Sequence, residues 1–178
     1  MVANSSANAW TVNTWHHVAA VRSGSTITLY LDGASVASGT SSANTGTGND
    51  LFVGATGTTT TGGAQLFTTG YLSDLRISKG TAVYTSAFTP PTSPVGNTNA
   101  TLYLPMDDAG VYDQQSLPNP IIFGGDTKTA TRTTKYANAS MYYDGTGDTA
   151  FVPIQPYFNI GGATKWTLEF WCNTTASG

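Results

Sequence analysis

Apolar and polar residues alternate along two adjoining runs in residues 15–36 of the chain. In the second run Ile27, Leu29 and Leu31 share one face, and the positions between them, Tyr30 among them, share the other. A period of two residues is typical of a strand with one buried face and one face in water. A glycine-containing segment separates the runs and an Asp-Gly pair ends the second, as in hairpin turns. Residues 15–36 therefore predict a β-hairpin.

Three further stretches show a strand-and-turn pattern. Residues 70–78 and 166–172 predict single strands, and residues 140–154 predict a second hairpin with its turn at an Asp-Gly and a Gly-Asp pair. Serine, threonine, glycine and asparagine, which are poor helix formers, are abundant in the chain. The sequence therefore predicts an all-β fold, an antiparallel β-sandwich with little helix. At 178 residues the chain has the length of one such domain.

The charge of the chain narrows the classes of partner. Only 10% of residues are charged, and the net charge is −3, with seven lysines and arginines scattered singly. This leaves no basic patch for a nucleic-acid backbone, so we expect no nucleic-acid partner.

No run approaches the roughly 18 apolar residues of a membrane helix, so we expect no membrane insertion. Residues 1–10 lack the basic and apolar regions of a signal peptide. An exported protein would need another route, which a virion component or a fragment of a longer protein would not require.

Several motifs resemble those of a known family. Trp-x-His-Val-Ala followed by Leu-Tyr-Leu-Asp-Gly in residues 15–33, and Gly-Tyr-Leu-Ser-Asp-Leu-Arg-Ile in residues 70–77, resemble the laminin-G-like branch of the concanavalin A-like lectin/glucanase superfamily. Trp-Thr-Leu-Glu-Phe-Trp in residues 166–171 resembles another strand of that family. The resemblance implies a jelly-roll β-sandwich. It also implies that the tyrosine and phenylalanine of residues 79–94 pack back on the sandwich, as in similar tails of phage fibre repeats.

The order of these motifs differs from that of the family. Residues 1–96 resemble the C-terminal half of a laminin-G-like sandwich, and residues 97–178 resemble its N-terminal half, with a strand or two missing between the halves. Two such segments can close on each other within one chain, as a circular permutant. Alternatively, one chain's segment completes the next chain, which gives a head-to-tail filament, or the chain is a slice of a longer tandem array. The sequence leaves these alternatives open.

The residues suited to catalysis are sparse. Glycoside hydrolysis, the reaction of the superfamily's enzymes, needs two carboxyl groups across the scissile bond, but Glu169 is the only glutamate. His16 and His17 are adjacent on a predicted strand and point to opposite faces, so we expect one packed and one solvated histidine. The single cysteine, Cys172, excludes an intrachain disulfide and falls on an apolar strand face, so we expect a buried thiol rather than a nucleophile. We therefore expect that the protein is not an enzyme.

Calcium is the candidate cofactor, since it prefers the carboxylate and carbonyl oxygens that sandwich loops supply. The resemblance implies a site that joins Asp74 to Asp107 or Asp108. The turn from Asp144 to Asp148 is a second place. The alternative at every one of these positions is that aspartate in a turn only shapes the backbone.

Sugar binding needs an aromatic ring to stack on the sugar and polar neighbours for its hydroxyls. Tyr30, on the face expected to be wet, with Asp32 beside it, is the candidate carbohydrate site. Two functions remain open. One is a non-catalytic extracellular or virion module that binds cell-surface glycans, as the resemblance to phage tail fibres and adhesins implies. The other is a structural repeat of a fibre, or of a filament of copies of the chain, without a ligand of its own.

Overall fold

The structure is a computed structural model that describes residues 10–43, 51–57, 64–106, 113–114, 119–136, 138–153 and 160–175. The described residues contain strands and turns and no helix, so none of them forms a helix able to span a bilayer. The strands are β1 His16–Ser23, β2 Thr26–Leu31, β3 Ala34–Thr40, β4 Leu51–Val53, β5 Ala55–Gly57, β6 Ala64–Phe67, β7 Thr69–Lys79, β8 Leu102–Leu104, β9 Ile122–Gly124, β10 Lys128–Ala130, β11 Ser140–Asp144, β12 Thr149–Val152 and β13 Lys165–Thr174.

The strands form one large sheet and two small ones. The large sheet has the order β10-β11-β7-β13-β1-β2-β3, with β8 paired to part of β7, and every pairing is antiparallel. The second sheet has the order β4-β12-β9, and β5 and β6 form a two-stranded ribbon. The prediction of an all-β antiparallel sandwich is confirmed.

The hydrophobic core lies between the large sheet and the β4-β12-β9 sheet. The second sheet contributes Val53, Ala150 and Val152, and strands β7, β8, β11 and β13 of the large sheet supply most of the remainder. The fully enclosed members include Leu102, Leu104, Met106, Met141 and Tyr143. Cys172 is buried in this core, as predicted, and burial raises the pKa of its thiol to about 12.

The hairpin predicted in residues 15–36 is confirmed, because β1 and β2 pair from Val18 with Leu31 to Ser23 with Thr26. Gly24 in the connecting turn has φ 65°, a conformation that favours glycine. The hairpin predicted in residues 140–154 is wrong. Both strands form, as β11 and β12, but β11 pairs in the large sheet and β12 in the second sheet. The turn between them therefore carries the chain from one layer of the sandwich to the other.

The outer face of the large sheet, which the alternation predicts to be wet, is covered at its centre. Residues 80–98, which we call the strap, cross this face without regular structure. Tyr84 and Phe88 of the strap stack on each other with ring centroids 3.6 Å apart and pack on Ala19, Val21 and Tyr30. The expected packing of the tyrosine and phenylalanine of residues 79–94 against the sandwich is thereby found.

Residues 1–96 and 97–178 contribute to one sheet. Strand β13, from the second segment, lies between β1 and β7 of the first and pairs with both along most of its length. Strands β8 and β11, also from the second segment, pair with β7. In this structure the two segments therefore close on each other within one chain. Their assignment as the two halves of a permuted sandwich stays a prediction.

Candidate functional site

A buried ionic cluster lies at the centre of the outer face, beneath the strap. The Glu169 side chain on β13 is fully buried. Its Oε1 accepts hydrogen bonds from Arg76 Nε at 2.8 Å and Nη2 at 2.5 Å. Its Oε2 accepts a hydrogen bond from the Tyr84 hydroxyl at 2.6 Å and lies 3.2 Å from His17 Nε2. Burial alone would raise the pKa of the Glu169 carboxyl, but these hydrogen bonds and the Arg76 charge outweigh burial and lower it.

The cluster holds the strap on the sheet. Arg76 Nη1 also donates to the carbonyl oxygens of Val95 at 3.2 Å and Thr98 at 3.4 Å, and the Val83 N–H donates to Thr167 Oγ1 at 2.9 Å. Both Glu169 oxygens therefore have protein partners, and no face of the carboxylate is open to a substrate. The only glutamate of the chain acts as an anchor for the strap.

The residues predicted to bind carbohydrate occupy different environments. The prediction that Tyr30 is exposed is wrong, because its side chain is only 4% exposed and lies against Phe88, with ring centroids 5.4 Å apart. The strap causes this burial, so Tyr30 has no free ring face. The Asp32 carboxylate is 44% exposed, but its Oδ1 accepts the His17 N–H at 2.9 Å and its Oδ2 lies 2.6 Å from His16 Nδ1. Asp32 thus holds the turn after β2.

Both histidines are buried, so the expectation of one solvated histidine is wrong. His17 points under the strap toward Glu169, while His16 on the opposite face is 5% exposed. The residues before β1 cover His16. The centroids of the Trp10 and His16 rings are 4.9 Å apart, and His16 Nε2 lies 3.0 Å from the Thr11 carbonyl oxygen. Alternation places the two side chains correctly on opposite faces, but loops cover both faces here.

Asp74, predicted to bind calcium, is also buried and has protein partners. Its Oδ1 accepts the Tyr103 hydroxyl at 2.8 Å, and its Oδ2 accepts the Val95 N–H at 3.0 Å. Burial raises the pKa of this carboxyl, although the two hydrogen bonds oppose the increase. Asp107 and Asp108 lie outside the described residues, so a calcium site that joins them to Asp74 stays a prediction. The contacts of Asp74 fix the end of the strap.

Three other carboxylates meet where the chain crosses between the layers. Asp126, Asp144 and Asp148 each have an oxygen within 4.8 Å of the others, and this geometry could hold a metal ion. Asp148 is 1% exposed, and its oxygens accept the N–H groups of Asp126 at 2.9 Å and Asp144 at 2.8 Å. The turn from Asp144 to Asp148 was the second place predicted for calcium. The sequence did not indicate Asp126 as a candidate ligand. The antiparallel pairing of β9 with β12 brings Asp126 to this turn, and such pairing is not visible in the sequence.

A pair of tyrosines lies on the outer face at one side of the strap. Tyr142 on β11 and Tyr71 on β7 are register partners, both half-buried, with ring centroids 5.1 Å apart. Lys128 Nζ lies 5.7 Å from the Tyr142 ring centroid, and Asn173 is the register partner of Tyr71 on β13. Asn173 is itself buried. The two rings, their hydroxyls and the Lys128 amine offer both kinds of contact that a sugar needs. Alternation assigns each tyrosine to one face of its own strand. The contact between the two rings depends on the pairing of β11 with β7.

Comparison with known proteins gives one family match. Residues 2–86 match a laminin-G-type family model described as the concanavalin A-like lectin/glucanases superfamily. No curated protein and no solved structure matches the chain. The match contains the β1–β2 hairpin, β7 and the first part of the strap, which carry the resemblance seen in the sequence. Residues 2–86 are therefore similar to a laminin-G-like domain of the concanavalin A-like lectin/glucanase superfamily.

Proposed function

We propose that the protein is a non-catalytic extracellular or virion module that binds cell-surface carbohydrate. The observation that carries this proposal is the half-buried Tyr71–Tyr142 pair beside the exposed Lys128. The tyrosine rings would stack on the apolar face of a sugar, and the tyrosine hydroxyls and the Lys128 amine would bind its hydroxyls. This pair replaces Tyr30, which the strap covers.

The absence of catalysis is supported by the state of Glu169. A glycosidase needs one carboxyl group that donates a proton and a second that acts as base or nucleophile at the same bond. Glu169 is fully buried, its oxygens are bonded to Arg76 and Tyr84, and its pKa is lowered rather than raised. A residue in this state is a poor general acid.

A calcium ion at Asp126, Asp144 and Asp148 forms part of the proposal. Calcium prefers oxygen ligands, and three carboxylates in mutual reach supply them. Asp144 follows Tyr142 by two residues on the same strand, and Asp126 precedes Lys128 by two. A bound ion would therefore brace the strand ends that present the tyrosine pair.

A glycan array tests carbohydrate binding directly. We expect the purified protein to bind a defined set of glycans, and Tyr71→Ala and Tyr142→Ala each to lose that binding. Phe123→Ala is the matched control, because Phe123 is an exposed aromatic residue on β9 in the other sheet. The array contradicts the proposal if the wild-type protein binds no glycan, or if the tyrosine variants bind as well as Phe123→Ala does.

Calcium binding is tested by thermal unfolding with and without EGTA. An ion that binds only the folded state raises the melting temperature. EGTA should therefore lower the melting temperature of the wild-type protein and leave that of Asp126→Asn unchanged. Asp126→Asn is preferred to a change at Asp148, because the Asp126 side chain is 67% exposed while Asp148 holds two N–H groups. Equal melting temperatures for the wild-type protein in calcium and in EGTA would exclude the site.

Self-assembly into a fibre is the second candidate function. The observation that favours it is the place of β13 between β1 and β7, since the same pairings could form between two copies that exchange this strand. Exchange in a head-to-tail direction gives open filaments. Light scattering over a wide concentration range tests it: mass that grows with concentration supports assembly, and a constant mass of one chain contradicts it.

A further inference from the structure

Two Asp-Gly pairs occur in the chain, Asp32-Gly33 directly after β2 and Asp144-Gly145 at the end of β11. Such a pair is open to a reaction of the backbone, because glycine has no side chain that shields the peptide nitrogen after the aspartate. Both aspartates are exposed to solvent. Exposure therefore does not distinguish the two pairs, and a difference in reactivity must come from the contacts of the carboxyl group and of the glycine.

The reaction begins with the closure of a five-membered succinimide ring. The glycine nitrogen attacks Cγ of the aspartic acid, a C–N bond forms, and the carboxyl OH leaves with the amide proton as water. Water then opens the ring at one of its two carbonyl carbons. Opening at the side-chain carbonyl restores aspartate, whereas opening at the backbone carbonyl gives isoaspartate, in which the chain runs through Cβ. The second step takes up the water that the first releases, so no oxidant or cofactor is needed.

The contacts of the Asp32 carboxylate oppose this reaction. Its Oδ1 accepts the His17 N–H at 2.9 Å and its Oδ2 lies 2.6 Å from His16 Nδ1, so both oxygens are bound to strand β1. Gly33 is buried, and its carbonyl oxygen accepts the Phe88 N–H of the strap at 3.0 Å. Ring closure would break the contacts with β1 and move a peptide unit that the strap fixes. The Asp32-Gly33 turn must therefore open locally before it can react.

The Asp144 side chain is hydrogen-bonded only within its own turn. Its Oδ1 accepts the Thr146 N–H at 2.7 Å. This is the hydrogen bond of an Asx turn, and it keeps the carboxyl group folded over the peptide bond to Gly145. Within the described part of the chain, the Gly145 N–H has no hydrogen-bond acceptor. The attacking nitrogen and the carboxyl carbon can therefore meet without the loss of a contact to another strand.

We propose that Asp144-Gly145 is a site of spontaneous isoaspartate formation in the folded protein, and that the fold protects Asp32-Gly33 from the same reaction. The product carries one additional backbone atom between β11 and the turn, because the chain then passes through Cβ. The Asp144 N–H donates to Asp148 Oδ2 at 2.8 Å, so the added atom would change the geometry of the crossing between the two layers. The reaction needs neither carbohydrate nor calcium.

Peptide mapping of the aged protein tests the proposal. The full chain is incubated at neutral pH with EGTA, so that no metal ion holds Asp144, and is then digested. An isoaspartyl methyltransferase and chromatographic separation of the isomeric peptides measure isoaspartate at each pair. We expect it to accumulate at residue 144 at least about tenfold faster than at residue 32, because the Asp32 turn reacts only through local opening. Asp144→Glu should remove the signal from its peptide, since the corresponding six-membered ring closes far more slowly.

The same chain unfolded in urea is the matched control. Unfolding removes the contacts of Asp32 with β1 and the strap, so the two pairs should then form isoaspartate at similar rates. The proposal is overturned if both pairs react equally in the folded protein, or if residue 144 reacts only after unfolding. It is also overturned if residue 144 is faster by the same factor in urea, because the difference would then come from the neighbouring sequence and not from the fold.

Discussion

The two faces of the large sheet are buried by different means. On the inner face, β7 and β13 contribute Leu75, Ile77 and Cys172 to an apolar core beneath a second sheet. On the outer face, the same two strands contribute Arg76 and Glu169 to an ionic cluster beneath the strap. An apolar core tolerates any partner of suitable volume, whereas a buried charge is stable only with its specific partners. The outer face is therefore the more sensitive to single changes.

The largest effect is expected when the ionic cluster loses its cation. Arg76→Met should lower the free energy of unfolding by about 4 kcal/mol, because a buried Glu169 charge remains without its main partner. Urea denaturation measures the change. Lys128→Met is the matched control, since its ion pair with Asp126 is exposed and should contribute less than about 1 kcal/mol. Equal losses in the two variants would contradict the distinction between the faces.

The inner face should respond to lost volume. Leu104→Ala should lower the free energy of unfolding by about 3 kcal/mol, because Leu104 is fully buried and the shortened side chain leaves a cavity. Leu29→Ala, at a half-buried position of β2, should lose about half as much. The same urea series measures both changes, and a loss at Leu104 below that at Leu29 would show that the core is centred elsewhere.

The contact of the strap with the cluster should have a smaller effect. Tyr84→Phe removes the hydroxyl that donates to Glu169 at 2.6 Å but keeps the ring that stacks on Phe88. Hydrogen bonds to charged groups contribute about 1.5–3 kcal/mol, and Arg76 still binds the carboxylate, so we expect a loss of about 1.5 kcal/mol. Tyr136→Phe, which removes a bond to the neutral Pro91 carbonyl, should lose less. The reverse order in urea denaturation would contradict a role for charge.

The pH dependence of stability should separate the two buried carboxyl groups. The pKa of Glu169 is lowered in the folded state, so its contribution is present above the ordinary range of a glutamate and is lost as the pH falls through the folded value. The pKa of Asp74 is raised, so its contribution has the opposite sign and is lost as the pH rises. In acid, Glu169→Gln should therefore lose stability less steeply than the wild-type protein, and Asp74→Asn more steeply. Urea midpoints between about pH 3 and pH 7 measure the slopes, and parallel slopes would contradict both assignments.

The sequence predicted the strands better than it predicted their environments. Alternation is a local property, so it identified β1, β2, β7 and β13 and placed His16 and His17 on opposite faces. It assigned the wrong exposure to Tyr30, because the rings that cover Tyr30 belong to Tyr84 and Phe88, more than 50 positions later in the chain.

The candidate sites were less accessible to sequence reasoning for the same reason. The meeting of Asp126 with Asp148 depends on where the chain crosses between layers, and the meeting of Tyr71 with Tyr142 depends on the pairing of β7 with β11. The hairpin predicted in residues 140–154 failed because a turn motif specifies a reversal of direction, not the sheet that the second strand joins.

The central position of β13 has a consequence for the timing of folding. His16 pairs with Cys172, so the middle of the large sheet closes only after 156 further residues have been synthesised. Loops of this length make the search for the native pairing slow. Until residues 165–174 emerge from the ribosome, the edges of β1 and β7 that pair with β13 have no partner strand. The Arg76 guanidinium also lacks the Glu169 carboxylate to which it donates. We expect nascent chains in which residues 165–174 have not emerged from the ribosome to bind hydrophobic dyes and chaperones strongly, and chains in which β13 has emerged to lose that binding in one step.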